Sequence, residues 1–285
     1  VSGPSRLRVR HVTDYRYAEP VLASYNEVRV TPRTGPRQVV LDARLETTPA
    51  TRLRQYVDYW GTVVHVLDLL VPHESLAIVG STVVETGWPD DTRTGPPMGW
   101  DAITAAAVAD RFVETLTATP SVPVDERVRA LAAELRAGCS PSEAPEVVGA
   151  WCREALRYER GITGVHTSGL EAWDAGRGVC QDFAHLALAV LRAMGVPSRY
   201  VSGYLHPSAD AQVGERVVGE SHAWIESWDG GRWVASDPTN GRSVGRDHVL
   251  VATGRDYADV APVRGVYDGG GASSLSVAVE ITRLT

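Results

Sequence analysis

The stretch GRGVCQDFAHLALAVLRAMGVP, Gly176 to Pro197, sets one cysteine between a glycine-rich approach and a run of apolar residues. Phe183, Leu186, Ala187, Val190, Leu191 and Met194 recur every three or four positions, the period of one helix face. The spacing predicts a core helix that starts at or just after Cys180 and ends near Gly195. Cys180 then stands at a helix N-terminus, where unpaired amides and the dipole favour negative charge and hence the thiolate that does nucleophilic work. Gly176 and Gly178 let the backbone turn sharply into the helix and let a substrate approach closely. A buried, inert cysteine would suit the same place, so the decision rests on the rest of the chain.

A nucleophilic cysteine needs a histidine as base, and the histidine needs an acceptor on its other nitrogen. His185 is near in sequence, yet five helical steps turn it about 140° away from Cys180. His222 begins the strand-like SHAWIESW, and the Asp229-Gly230 pair after it is a hairpin signal. A two-residue turn there predicts that Trp228 faces Gly231, Ile225 faces Val234 and His222 faces Asp237, within reach of an imidazole–carboxylate hydrogen bond. Each residue has a plainer reading: His222 as a hydrogen-bonded strand-end histidine, Asp237 as a turn former in DPTNG.

Outward from this region, the chain changes character. LRVRHVTDYRY, QVVLDARLETT, TVVHVLDLLV and ESLAIVGSTVVET are rich in β-branched residues, partly alternate, and predict a small β-sandwich over residues 1–86. GWPDDTRTGPPMGW, residues 87–100, concentrates turn formers and reads as a linker. The second unit, residues 101–285, opens with helices. In VDERVRALAAELRAG, Val128, Leu131, Ala132 and Leu135 share a face; in EVVGAWCREALRY, Val147, Val148, Trp151, Cys152, Ala155 and Leu156 form a stripe that makes Cys152 a core residue. Cys139, beside Gly138 and two serines, reads as a loop residue. SRYVSGYL, SHAWIESW and RWVAS then predict strands, and the alternating SSLSVAVEITRL predicts a last strand, within 272–285, able to pack on either unit. Helices followed by an antiparallel sheet define an α+β fold.

With 35 acidic and 28 basic residues, a formal charge of -7 argues against a general nucleic-acid binder. No apolar run approaches the roughly 20 residues that span a bilayer, and VSGPSRLRVR lacks the apolar segment of a signal peptide. Three widely spaced cysteines fit a reducing compartment better than a disulfide scaffold, so the expected location is cytoplasmic, with processing left open because the chain does not begin with Met. None forms a CxxC pair, and no metal or other cofactor is expected.

GRGVCQDFAHL, ESHAWIESW and ASDPTNG, in that order, resemble the three core motifs of the bacterial transglutaminase-like superfamily. The resemblance implies a papain-like core, helices packed on an antiparallel sheet, with Cys180 as nucleophile, His222 as base and acid, and Asp237 as orienter, 42 and 15 residues apart. The opening LRVRHVTDYRYAEPVLASYNEVRVTPR is similar to the β-rich N-terminal region of such proteins, and GRDYADVAPVRGVY to their continuation after the triad. One departure is Trp60-Gly61-Thr62, where relatives often carry aromatic-Gly-Asn.

The implied chemistry is attack on an amide or other acyl carbonyl and a thioester acyl-enzyme, with the Cys180 N–H as first oxyanion donor. Gln181, Trp173 and Tyr158 are candidates for the second donor or for substrate contact, and each has a structural reading. A peptide, protein or small amide is the expected substrate. Water as acceptor makes a peptidase or amidohydrolase, an amine makes a transamidase, and a fold without turnover makes a binding module. Trp224, Trp228 and Trp233 could line a site or pack on a sheet face, and Asp256 to Arg264 could border the cleft or form a solvated loop.

Overall fold

The computed structural model describes residues 4–87, 95–207, 212–219 and 221–285. Of the linker expected at 87–100, residues 88–94 lie outside the described residues. The strand-rich start forms β1 (Ser5–Val28), β2 (Gln38–Thr48), β3 (Leu53–Val57), β4 (Val63–Leu69) and β5 (His73–Thr86). β1 is long enough to serve two rows of strands. Its first half pairs with β5, which carries β2 on its far edge; its second half pairs with β4, which carries β3. A small apolar core of Val28, Val30, Leu67, Leu69, Leu76 and Ile78 packs within this strand-rich region, whose two rows are joined into one sheet through β1.

After three short helical turns between Trp100 and Leu116, the chain forms α1 (Glu126–Arg136), α2 (Ala144–Ala155), α3 (Gly169–Ala175) and α4 (Cys180–Met194). Asp125 caps α1 by accepting the Val128 N–H at 2.9 Å, and a Ser168/Glu171 capping box starts α3. The second sheet is antiparallel and contains β6 (Ser198–Leu205), β8 (His222–Trp228), β9 (Trp233–Asp237) and β10 (His248–Gly254), in the order β9-β8-β6-β10. β7 (Arg216–Gly219), β11 (Val263–Gly269) and β12 (Ser273–Arg283) return to the first sheet: β11 and β12 pair with β1, and β7 pairs with β12. The last strand thus lies on the N-terminal strands, with Leu7 opposite Arg283 and Tyr17 opposite Ser273.

α4 occupies the centre. The sequence marks one apolar stripe, but Asp182 to Arg192 are all buried, because α1, α2 and α3 cover one side and β6 and β8 the other. Its buried polar groups therefore need partners from the chain. Arg192 donates to the Thr117 and Ser198 carbonyls at 3.0 and 3.1 Å and also to that of Arg255. His185, buried on the side away from Cys180, accepts the Tyr257 N–H at 3.2 Å. The main core joins this helix to Leu7 and Val9 of β1, Val84 of β5 and Val279 and Ile281 of β12. Cys152 belongs to that core, whereas Cys139 lies in the loop after α1, its thiol donating to the Leu135 carbonyl at 3.3 Å.

Candidate active site

Cys180 is the first residue of α4 and is partly exposed. The approach is set by two glycines: Gly176 ends α3 with φ 65°, a conformation that disfavours side chains, and a Cβ on Gly178 would sit 2.7 Å from the Asp182 side chain. That closeness matters because Asp182 Oδ2 accepts the Val179 N–H and the Thr163 hydroxyl, both at 2.7 Å, and so fixes the first turn. His222, the first residue of β8, lies near enough to Cys180 to interact with it electrostatically, and its Nε2 donates to Asp237 Oδ2 at 2.8 Å. Nδ1 is left for the sulfur side. The three residues read from the sequence are therefore brought to one site.

The hairpin that unites His222 with Asp237 differs from the expected one. Trp228 faces Trp233, Ser227 faces Val234 and Ile225 faces Ser236, so the turn is the four-residue loop Asp229–Arg232. The cause is Asp229: its Oδ1 accepts the Gly231 and Arg232 N–H groups at 2.9 and 3.0 Å and holds the longer loop. The register shifts by two residues. A shift of two keeps every side chain on its face, so His222 and Asp237 still share one, now as diagonal rather than opposed neighbours.

Two residues that local spacing did not single out complete the carboxylate's surroundings. Asn240 Nδ2 donates to Asp237 Oδ2 at 2.8 Å, while the Thr239 and Asn240 N–H groups donate to Oδ1 at 3.0 and 3.1 Å. His248 of β10 lies beyond hydrogen-bond length, its Nε2 3.6 Å from Oδ2. Burial opposes ionisation of Asp237, yet His222, His248 and Asn240 together hold its carboxyl well below the usual carboxylate range. Burial also disfavours the charged form of His222, but Asp237 and the Cys180 thiol outweigh it and push the imidazole up to about 9.

His222, Asp237 and His248 are also the group that could hold a cation, their ligand atoms lying within 4.8 Å of one another. The donor pattern describes a different occupant. Gly245 N–H donates to His248 Nδ1 at 3.3 Å, which places a neutral ring's proton on Nε2, and His222 Nε2 also presents a proton to Asp237. Two protons thus converge on the carboxylate where a metal would need two free lone pairs.

The remaining candidates are spread around the cleft. Tyr158 pairs with Gly178, two residues before Cys180, and is half exposed. Gln181 donates to the Val165 carbonyl at 3.3 Å, and Trp173 meets the Trp151 ring edge-on at 5.1 Å beneath the Arg127 guanidinium. Asp256 accepts the Ala258 N–H, and Arg255 and Asp259 pair at 2.9 Å, so the start of the 256–264 segment is tied down locally. Trp224 and Trp228 share the His222 face of β8 and, with Trp233, line a cavity of about 700 Å³ that Cys180 does not border.

Residues 7–85 match the bacterial transglutaminase-like N-terminal region, and residues 111–238 match the transglutaminase-like superfamily. The chain belongs to this superfamily. A protein of Mycobacterium leprae is 50% identical over 279 residues, 98% of this chain and 99% of its own length. A protein-glutamine gamma-glutamyltransferase of Pseudomonas aeruginosa is 30% identical over 122 residues, 40% of this chain and 18% of that protein. Among solved structures, one described as a cysteine protease from Cytophaga hutchinsonii shares the fold over 100% of this chain and 92% of its own, with a TM-score of 0.77 and 22% identity. No helix among the described residues is long and apolar enough to cross a membrane.

Proposed function

We propose that this superfamily member is a cysteine-dependent acyl-transfer enzyme, a peptidase or amidohydrolase, with Cys180 as nucleophile, His222 as base and acid and Asp237 as orienter. The observation that carries the reading is the His222–Asp237 hydrogen bond set beside Cys180 at the start of α4. His222 takes the thiol proton, and the Cys180 sulfur forms a bond to the carbonyl carbon of an amide. The tetrahedral oxyanion meets the Cys180 N–H, which lies in the first helical turn where the helix supplies no acceptor of its own. As the C–N bond breaks, His222 gives its proton to the leaving amine. Water, deprotonated by His222, then resolves the thioester and releases the acid and the free thiol.

Transamidation is the second reading, favoured by the name of the Pseudomonas relative over its 122 matching residues. It differs only in the nucleophile that resolves the thioester. Water needs no site of its own, which is why hydrolysis ranks first. Three free cysteines agree with a reducing, cytoplasmic setting.

The test is a peptide and amide library assayed for ammonia or amine release, with and without an added primary amine, for the wild type and Cys180→Ala. Release by the wild type alone supports the reading, and incorporation of the amine selects transamidation. Activity that persists in Cys180→Ala overturns it.

A further inference from the structure

We propose that the cavity beside the triad is a second recognition site, one that takes an anionic small molecule. Arg33 and Arg111 hold its carboxylate or phosphate, and Trp228 and Trp233 pack against its apolar or planar body. The volume, about 700 Å³, is that of a ligand site. Its place follows from strand geometry. His222, Trp224, Glu226 and Trp228 alternate onto one face of β8, and at about 3.4 Å per residue Trp228 lies about 20 Å from the catalytic histidine. Trp224, stacked on His222 with ring centres 6.1 Å apart, and His248, 3.6 Å from Asp237 Oδ2, both line the cavity and join it to the triad.

The opposite wall is the segment Arg33 to Gln38, and it is fastened in place. Gln38 both donates to the Leu250 carbonyl and accepts the Leu250 N–H, each at 2.8 Å. These two bonds fasten the Arg33–Gln38 wall to β10. Glu226 is the one carboxylate among the described lining residues. It is buried, and Arg199 at 2.6 Å and Arg37 at 3.0 Å already neutralise it.

Two other lining arginines, Arg33 and Arg111, stand apart from this ion pair. Arg33 and Arg111 are exposed and meet no carboxylate among the described residues, and Arg111 is laid over Trp228 at 5.4 Å. A guanidinium stacked in this way keeps its edge N–H groups for a planar anion. Trp224 Nε1, buried in the cavity wall, also finds no acceptor among the described residues.

The experiment uses Cys180→Ala protein, so that binding is read without turnover and independently of the acyl-transfer reading. Pyrophosphate and citrate are titrated by calorimetry and by tryptophan fluorescence. Saturable binding with Kd of about 1 mM or tighter is expected. Adding Arg33→Ala and Arg111→Ala, both at exposed positions, should weaken it roughly tenfold or more. In the active protein, probes that compete with acidic amides identify the anion as part of the substrate; probes that bind without competing identify an effector, and either result supports the site. No saturable signal up to about 10 mM, or unchanged affinity in the double arginine variant, overturns it.

Discussion

Asp237 is held more firmly than orientation of one imidazole requires. Four hydrogen bonds, from His222, Asn240 Nδ2 and two backbone amides, converge on its carboxylate, so it stays ionised and keeps the His222 proton on Nε2. Asp237→Ala should lower kcat about 10²- to 10⁴-fold, read on whichever amide the library yields. Asp237 and Cys180 raise His222 to about 9 against its burial, so the ring retains at neutral pH the proton it takes from the thiol. Its contribution to stability is fully present below its unfolded value of about 6.5 and is lost as pH rises through about 9. An NMR titration of the His222 ring with its midpoint near 9 is expected, and activity should fall on the same alkaline limb; a midpoint near 6.5 would contradict this. His222 and Asp237 were legible because a hairpin connects them. Asn240 stood inside the quoted DPTNG without a visible role. His248 could not be found locally, since β10 is joined to the β8–β9 hairpin only through β6.

Among the elements, α4 was read most completely, because both ends and the apolar period were written in consecutive residues. What the stripe could not tell was that the polar face would be buried too, which depends on α3 and the strands arriving from elsewhere in the chain. Leu191 has no exposed surface, and Leu191→Ala should cost about 2 to 5 kcal/mol in denaturant unfolding. A change within ~0.5 kcal/mol would show the helix phase to be wrong. The β8–β9 hairpin carries a complementary lesson. The Asp229 side chain holds two more residues in the loop than a two-residue turn allows, yet His222 and Asp237 still share a face, since face depends on parity rather than on the pairing itself.

At the scale of the molecule, the first sheet and the α4 layer share one apolar core, with Leu7, Val84, Val279 and Ile281 packed into the cluster that holds α4. Local alternation marks β1, β2, β4, β5, β6, β8, β9 and β12 but not β3, β7, β10 or β11, and it leaves open that β12, with β11, returns some 250 residues later to flank β1, because strand pairing at that separation leaves no mark in either segment. A shared core predicts one cooperative thermal transition, the same by far- and near-ultraviolet circular dichroism; two separated transitions would contradict it. The same architecture gives the three cysteines different fates: Cys152 is sealed in the core, Cys139 is tied to a carbonyl, and Cys180 alone meets an imidazole. The most direct test of the central claim is therefore the rate of alkylation of each cysteine by iodoacetamide at neutral pH, in the wild type and in His222→Ala. The account predicts that Cys180 reacts first and that its rate falls roughly tenfold or more in the variant. Equal rates for Cys180 and Cys139, or an unchanged rate in His222→Ala, would contradict it.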